Sequence, residues 1–290
     1  MRRTVRTIWL PVLLWAAAPP LGAQTAPDDF PRRVLITNDN GIDDPKIVAL
    51  ARAFAAHAET WVVAPSGDRS GSGSYLTVTR TGVLDVETRD LGPGIRAFAV
   101  DGYPADCVIL ALLGLMADAP PDLIVSGVNG GANLGSDWFG SGTVGAARIG
   151  AFAGVPAIAV SGLDDDLPGA VEAAVDWVVR LAASDIVRAL EPPDYLTVSL
   201  PRVVPAGIRG VRFADRAPPL EAPALEPEGP NRWRVTGALE LDRPIPPDSD
   251  RAAWDAGYIV IVPMRADEVD FERLARWRRQ RPPLPGWAPR

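Results

Sequence analysis

The sequence has little of several residue types on which common enzyme chemistries depend. It contains one cysteine, Cys107, and one histidine, His57. A single cysteine excludes an internal disulfide. Because the histidine stands at the end of an expected helix, the usual Ser-His-Asp triad and a histidine-rich zinc site are also excluded. No G-x-x-x-x-G-K-[ST] motif is present, so nothing supports ATP-driven chemistry.

The sequence also has fewer basic than acidic residues. The 29 lysines and arginines are outnumbered by 36 aspartates and glutamates, which gives a net charge of −7. This balance excludes duplex nucleic acid or an anionic membrane surface as the main partner. The 290 residues are 47% hydrophobic, which is enough for one large domain or for a core domain with a smaller appendage.

Long apolar runs are missing except near the start of the chain. Three arginines precede the run Trp9–Ala18, which is too short to span a bilayer comfortably. We interpret residues 1–23 as a secretory signal peptide, cleaved near Ala23 and followed by a linker at 24–31. An uncleaved anchor is the alternative. The mature chain is expected to be periplasmic or secreted, without a stable membrane span.

Residues 32–200 show a repeated alternation of short apolar runs with amphipathic segments. Val34–Thr37 predicts a strand and Pro45–Ala56 predicts a helix, and similar pairs continue to Leu200. Alternation at this spacing is typical of parallel βαβ units. It predicts an α/β fold, a Rossmann-like doubly wound sheet whose strands are mainly parallel.

The pattern changes after Pro201. Three segments there predict strands without intervening helices: Ile208–Ala214, Asn231–Thr236 and Tyr258–Val262. Pro-rich segments such as Pro218–Pro230 predict connections. We therefore expect a Rossmann-like catalytic core at 32–200 and a β-rich C-terminal extension at 201–290. The extension is expected to include a hairpin used in contacts between copies, a terminal helix and a Pro-rich tail.

Two loops at strand ends concentrate polar side chains. Asp39 and Asn40 follow the first strand, and Asn129 and Asn133 stand in a long Asn/Gly-rich loop after the strand at Asp122–Val125. Ligands of open α/β sheets bind beyond the carboxyl ends of the strands. An oxygen-only set of side chains favours Mg²⁺ or Mn²⁺. These residues favour a metal-dependent hydrolase, although an Asx-turn that merely starts the next helix would also explain Asp39.

The loop continues into a predicted helix whose first residues could bind an anion. Ser141, Gly142 and Thr143 present hydroxyl and backbone N–H groups that can hold a phosphate at a helix N-terminus. Ordinary N-capping explains the same residues. Ser70 follows another strand end and is either a ligand or part of a flexible surface loop. Its neighbour Arg69 is a candidate for substrate phosphate, or a solvated charge.

Together these motifs resemble the SurE family of survival proteins, metal-dependent 5′/3′-nucleotidases and acid phosphatases. The resemblance rests on I-T-N-D-N-G at Ile36–Gly41, V-V-A-P-S-G-D-R-S-G at Val62–Gly71, D-G-Y-P-A-D-C-V at Asp101–Val108, P-D-L-I-V-S-G-V-N-G-G-A-N-L-G at Pro121–Gly135 and S-G-T-V-G-A-A at Ser141–Ala147. It implies hydrolysis of nucleoside 5′- and 3′-monophosphates, a Rossmann-like core, and a homodimer or homotetramer.

The resemblance also implies roles for individual residues. One divalent ion, Mg²⁺ or Mn²⁺, would be held by Asp39, Asn40, Ser70 and Asn129. Of these, Asp39 and Asn40 would be the catalytic pair. The residues facing the substrate phosphate would be Asn133, Ser141, Gly142 and Thr143.

The chain departs from the family pattern in two places. Asn40 replaces a second aspartate, so the site loses a negative charge and its affinity for a hard cation should fall. The stretch Asp43–Lys46 replaces the family's Ala-Pro-Gly, and either acid in it is a candidate for restoring that charge, while Lys46 is a candidate for altering phosphate access. A degenerate member that binds nucleotide or phosphate without efficient hydrolysis is therefore the alternative function.

We expect Asp39→Ala to abolish activity, because it removes the one carboxylate of the implied metal set. Phosphate release from a nucleoside monophosphate, with metal added, measures the effect. Near-normal turnover by this variant would contradict the metal hypothesis.

Overall fold

The computed structural model describes residues 30–280. The predicted signal peptide at 1–23 and the predicted Pro-rich tail after Gln280 lie outside the described residues. Within the described part of the chain, no helix combines the length and the apolar character needed to cross a membrane.

Strands and helices alternate along most of the described chain. The strands are β1 (Arg33–Thr37), β2 (Glu59–Pro65), β3 (Val86–Arg89), β4 (Ile95–Val100), β5 (Leu123–Ser126), β6 (Ala157–Ser161), β7 (Asp194–Ser199), β8 (Val211–Phe213), β9 (Glu221–Gly229), β10 (Arg232–Glu240) and β11 (Ile259–Arg265). The helices are α1 (Pro45–Ala55), α2 (Pro104–Leu110), α3 (Gly142–Phe152), α4 (Ala170–Ala182), α5 (Asp185–Arg188), α6 (Asp250–Asp255) and α7 (Phe271–Gln280). A π-type turn at Ala111–Leu115 extends α2.

One large sheet organises the described residues. Its order is β3-β4-β2-β1-β5-β6-β7-β11-β8. The strands from β4 to β7 in this order run parallel, whereas β3 and β11 run antiparallel to their neighbours β4 and β7. The predicted doubly wound sheet is therefore confirmed. Its topological switch point, where such folds bind ligands, lies between β1 and β5.

Helices cover both faces of this sheet, which explains the unbroken apolar runs in its central strands. Val34 and Ile36 of β1 point to one face and share a core cluster with Leu50 of α1. The residue between them, Leu35, points to the other face and shares a second cluster with Val144 of α3. Because successive strand residues alternate between faces, β1 is anchored in both layers.

The C-terminal extension differs from its prediction in two respects. Pro218–Pro230, expected to be a connection, contains strand β9, which pairs antiparallel with β10. Its prolines, Pro223 and Pro227, are tolerated because each strand of a two-stranded ribbon has a free edge where no N–H is needed. The expectation of no intervening helix is also wrong, since α6 lies between β10 and β11 and is capped by the Ser249 hydroxyl, which accepts from the N–H of Ala252 at 3.3 Å.

Part of the extension continues the main sheet. Strand β11 pairs with β7 from Val260–Ser199 to Arg265–Asp194, and β8 pairs with β11. The β9–β10 hairpin remains a separate two-stranded sheet. The core boundary near Pro201 stays a prediction.

Candidate metal and phosphate site

The loop after β1 turns sharply at the switch point. The side chain of Asn38 makes this turn, since its Nδ2 donates to the carbonyl oxygen of Gly41 at 2.8 Å and its Oδ1 accepts from the Gly41 N–H at 3.2 Å. Gly41 has a φ of +105°, which favours glycine. The turn-forming role considered for Asp39 thus belongs to Asn38. The carboxylate of Asp39 is left available for other contacts.

That carboxylate lies at the N-terminus of α3. Thr143 donates its N–H to Asp39 Oδ2 at 3.1 Å and its hydroxyl to Oδ1 at 2.8 Å. Asp39 is only 3% exposed. Burial raises its pKa, the Thr143 hydrogen bonds oppose this rise, and the negative charge of Asp68 adds to it. No cationic side chain of the described residues is among the groups that shift this pKa, so the buried charge is compensated only by hydrogen bonds, chiefly those from Thr143.

Helix α3 can approach Asp39 so closely because it begins with glycine. A β-carbon at Gly142 would lie 2.7 Å from Ser72 Oγ and 2.9 Å from Asp39 Cβ. The Ser72 hydroxyl is buried there without a hydrogen-bond partner among the described residues. Ser72 was missed from the sequence because it is one of several serines in Ser70–Ser74 and no pattern distinguishes it.

Asn40 and Ser70 each have a side-chain oxygen that is free to accept a ligand. Asn40 Oδ1 is buried and has no hydrogen-bond partner in the described part of the chain. The Ser70 hydroxyl donates to Asp68 Oδ1 at 2.6 Å, which leaves the lone pairs of its oxygen available. The N–H of Arg69 donates to the carbonyl oxygen of Asp39 at 2.7 Å and so joins the two loops.

Asn129 is positioned by the ends of β5 and β6. Its N–H donates to the carbonyl oxygen of Val160 at 3.0 Å, and its Nδ2 donates to that of Gly131 at 2.7 Å, so Oδ1 is left for a ligand. The N–H of Gly127 donates to the carbonyl oxygen of Thr37 at 2.8 Å and ties this loop to β1. A β-carbon at Gly127 would lie 2.4 Å from the Val160 oxygen, which explains the glycine.

These donors fit a hard divalent cation. Asp39 supplies a carboxylate, Asn40 and Asn129 supply amide oxygens, and Ser70 supplies a hydroxyl, which are the ligand types that Mg²⁺ and Mn²⁺ prefer. A cation there would bind the partnerless Asn40 oxygen and neutralise the buried Asp39 charge. Residues 30–280 contain no group of three or more His, Cys, Asp or Glu side chains that could hold a metal, so a cation here would depend on amide and hydroxyl oxygens beside one carboxylate. The ligand assignment itself stays a prediction.

The predicted phosphate residues occupy two places. Ser141, Gly142 and Thr143 form the start of α3, where the Ser141 hydroxyl accepts from the N–H of Val144 at 3.1 Å. This is the N-capping alternative, and it is compatible with anion binding at the same helix end. Asn133 lies elsewhere, since its Nδ2 donates to the Ser161 hydroxyl at the end of β6. Whether they contact phosphate stays a prediction.

Of the two acids considered from the sequence, Asp44 does not replace the missing carboxylate, and the role of Asp43 stays a prediction. Asp44 caps α1 by accepting from the N–H of Lys46 at 2.7 Å, and its carboxylate lies 3.2 Å from Lys46 Nζ. Asp165 pairs with the same ammonium group at 3.1 Å. Lys46 is therefore held between two carboxylates, and Asp44 is committed to it. The acid whose charge acts on Asp39 is Asp68.

An ion pair from the extension holds the Asn/Gly-rich loop in place. Arg216 Nη1 donates to Asp250 Oδ2 at 3.1 Å and to the carbonyl oxygen of Asn133. Asp250 is 1% exposed and also accepts from the N–H groups of Gly135 at 2.8 Å and Ala217 at 2.9 Å. Desolvation lowers the pKa of Arg216, and the charge of Asp250 opposes that effect. Sequence reasoning missed this pair because both residues lie far from the motifs.

Comparison with known proteins points to one family. The family model described as survival protein SurE matches residues 34–218. The 5′-nucleotidase SurE of Syntrophotalea carbinolica is 38% identical over 254 residues, covering 84% of this chain and 96% of that protein. The 5′-nucleotidase SurE 1 of Burkholderia lata is 36% identical over 257 residues, covering 85% of this chain and 95% of that protein.

A solved structure shows the same architecture. The crystal structure of the SurE protein from Aquifex aeolicus gives a TM-score of 0.70 at 27% identity and covers 86% of this chain and 99% of that one. The family match at 34–218 contains every predicted metal and phosphate residue and also Arg216. Asp250, the partner of Arg216, lies beyond it.

We expect Asp250→Ala to lower the free energy of unfolding by about 3–5 kcal/mol, because it leaves the largely buried guanidinium of Arg216 unpaired. Urea unfolding followed by circular dichroism measures the change. Asp255→Ala on the same helix is the matched control. It removes an exposed ion pair with Arg251 and should cost at most about 1 kcal/mol. Equal effects of the two substitutions would contradict a structural role for the buried pair.

Proposed function

The chain belongs to the SurE family, and from that membership we propose that it hydrolyses nucleoside 5′- and 3′-monophosphates to nucleoside and phosphate. The contact of Asp39 with the N-terminus of α3 carries this proposal. A cation bound by Asp39 would lie beside a helix N-terminus, which attracts anions. Hydrolysis of a phosphomonoester uses both the cation and the anion-binding helix end. The names of the two relatives support the 5′ activity, and the 3′ activity rests on the family resemblance alone.

The metal-binding residues in this proposal are Asp39, Asn40, Ser70 and Asn129, which would hold one Mg²⁺ or Mn²⁺. When bound, such an ion supplies Lewis acidity towards a phosphoryl group and makes a water molecule more acidic. Asp39 contributes the negative charge of the set. Since Thr143 donates to both of its oxygens, the carboxylate is fixed before a ligand arrives.

The start of α3 would stabilise charge on the phosphoryl oxygens. Its backbone N–H groups form the positive end of the helix dipole, and donors fixed in advance stabilise a developing charge without reorganising. Ser141 would donate its hydroxyl proton to phosphate, Thr143 would take part while its own hydroxyl donates to Asp39, and Asn133 would use the amide N–H that does not donate to Ser161. His57 is exposed at the opposite end of α1, where its ring lies 5.3 Å from that of Phe30. It is therefore not the acid that protonates the leaving group.

We extend the proposal to export and assembly. The arginines and apolar run of residues 1–23 support export to the periplasm or medium. The β9–β10 hairpin supports a homodimer or homotetramer, because an isolated two-stranded ribbon is marginally stable in water. Trp233, Val235 and Leu225 on this hairpin are 62%, 66% and 56% exposed. A second copy of the chain would cover them.

The test of the activity uses the chain from Gln24 onwards, with 5′-AMP and 3′-AMP as substrates. We expect phosphate release with Mn²⁺ or Mg²⁺, and EDTA should stop it because the site needs a cation. Metal binding is measured separately by thermal unfolding. A metal at a hundred times its Kd should stabilise the fold by about 2.7 kcal/mol, whereas Asp39→Ala should show no such gain.

Binding without hydrolysis is the second candidate function, and Asn40 is the observation that favours it. Asn40→Asp restores the family's carboxylate and should tighten metal binding by on the order of tenfold. If the folded wild-type chain releases no phosphate and the variant does, the binding-only alternative is correct. Wild-type release that Asn40→Asp changes little would show that asparagine is tolerated there.

The assembly proposal predicts that Trp233→Ser combined with Val235→Ser lowers the particle mass in solution, because it makes the hairpin surface polar. Light scattering after size exclusion should give two or four times the chain mass for wild type, and the mass of one chain for the variant. The matched control is Trp277→Ser, at a tryptophan on α7 that is 51% exposed. A monomeric wild-type chain would contradict the proposal.

A further inference from the structure

A second cleft opens beside the candidate site and has no part in the chemistry proposed above. Its volume is about 370 Å³, and its lining includes Arg69, Tyr75, Arg80, Asp101 and Tyr103. This is the size of a small-molecule site. Asp101 follows directly after β4, so the cleft lies beyond the same sheet edge as Asp39.

Arg69 connects this cleft to the predicted metal site. Its backbone N–H donates to the carbonyl oxygen of Asp39 at 2.7 Å, while its side chain lines the cleft. There, Nη2 of Arg69 donates to Asp101 Oδ1 at 2.9 Å. Arg69 therefore contributes to both sites, with its backbone to the Asp39 loop and with its side chain to the cleft. A molecule with its phosphate at Asp39 would extend into the cleft.

The cleft presents aromatic rings. Tyr75 and Tyr103 meet edge to face, with ring centroids 4.7 Å apart and planes at 70°. An edge-to-face pair leaves flat ring surface uncovered, and Tyr75 is 37% exposed. The guanidinium carbon of Arg69 lies 5.8 Å from the centroid of the Tyr103 ring. Exposed tyrosine faces beside an arginine are a surface on which nucleobases stack.

The charges of the cleft also fit a base better than a second phosphate. Arg69 and Arg80 are balanced by Asp85 and Asp101, so the cleft offers no excess of positive charge to a polyanion. Carboxylates accept hydrogen bonds from amino groups, which adenine, guanine and cytosine carry on their ring edges. A neutral ring with an exocyclic amino group therefore matches both the aromatic and the acidic parts of the lining.

We propose that this cleft binds the base and sugar of a nucleoside monophosphate whose phosphate lies at Asp39. The inference rests on the proposed function, because it takes the phosphate position from there. Tyr103 stacks on the base, Tyr75, whose ring plane lies at 70° to that of Tyr103, contacts the edge of the base, and Asp85 and Asp101 accept from its amino group. The chain thus selects nucleotides over phosphomonoesters that lack a base.

The test compares 5′-AMP with ribose 5-phosphate, which has the same sugar and phosphate but no base. Tyr103→Leu should raise KM for 5′-AMP about tenfold through the loss of stacking, and should change KM for ribose 5-phosphate much less. Tyr103→Phe keeps the ring and should restore the wild-type KM. Tyr258→Leu is the matched control, since the Tyr258 ring contacts Arg212 on the C-terminal strands.

Adenosine binding, measured by equilibrium dialysis, separates this inference from the proposed function because it needs no turnover. Adenosine should bind the wild-type chain, and Tyr103→Leu should weaken its binding about tenfold. The same result from a chain that releases no phosphate would support the cleft and reject the proposed hydrolysis. Hydrolysis of 5′-AMP with unchanged KM in folded Tyr103→Leu and Tyr75→Leu, or no adenosine binding by wild type, would overturn the inference.

Discussion

The arrangement of the candidate site depends on one contact, the buried carboxylate of Asp39 against the N-terminus of α3. Thr143 donates two hydrogen bonds to it, and Gly142 lets the helix approach to a distance that a β-carbon would not permit. Because Asp39 follows β1 and α3 follows the loop after β5, this contact closes the crevice at the switch point of the sheet. The Arg69 N–H then attaches the loop after β2 to the same residue.

Burying the Asp39 carboxylate costs free energy, and the hydrogen bonds from Thr143 offset part of that cost. A buried carboxylate with no cationic neighbour is destabilising, and the raised pKa of Asp39 reflects its burial. The negative charge of the exposed Asp68 adds a smaller contribution to this rise in pKa. Other parts of the fold must hold the surrounding loops in place. The buried Arg216–Asp250 pair does this for the Asn/Gly-rich loop from a distant part of the chain.

The sequence was sufficient where the signal is local. The apolar runs of β1 and β5 and the capping residues of α3 identify their elements, and the order of motifs predicted which strand ends meet. It was insufficient where the cause is non-local. The prolines of β9 argue against a strand. They are compatible with one only because β9 has a free edge in a two-stranded ribbon, which the sequence does not show. Asn38 and Ser72 stand among residues of similar type in the sequence, and only their contacts in the structure distinguish them. Arg216 and Asp250 lie far apart in the sequence, and no periodic pattern in the segment between them predicts that they pair.

Asn40 shows why the loss of one charge need not remove the chemistry. An amide oxygen binds a hard cation more weakly than a carboxylate does. It also neutralises less of the cation's charge, and the charge that remains is what polarises a bound phosphoryl group. Lower affinity and stronger polarisation therefore oppose each other at this position. The charge of Asp68 acts on Asp39, whereas Asp44 is paired with Lys46, so in the proposed site Asp68 would favour binding of the cation. With Asn40 as a ligand, as proposed, the site would keep acidic surroundings while having one acidic ligand fewer.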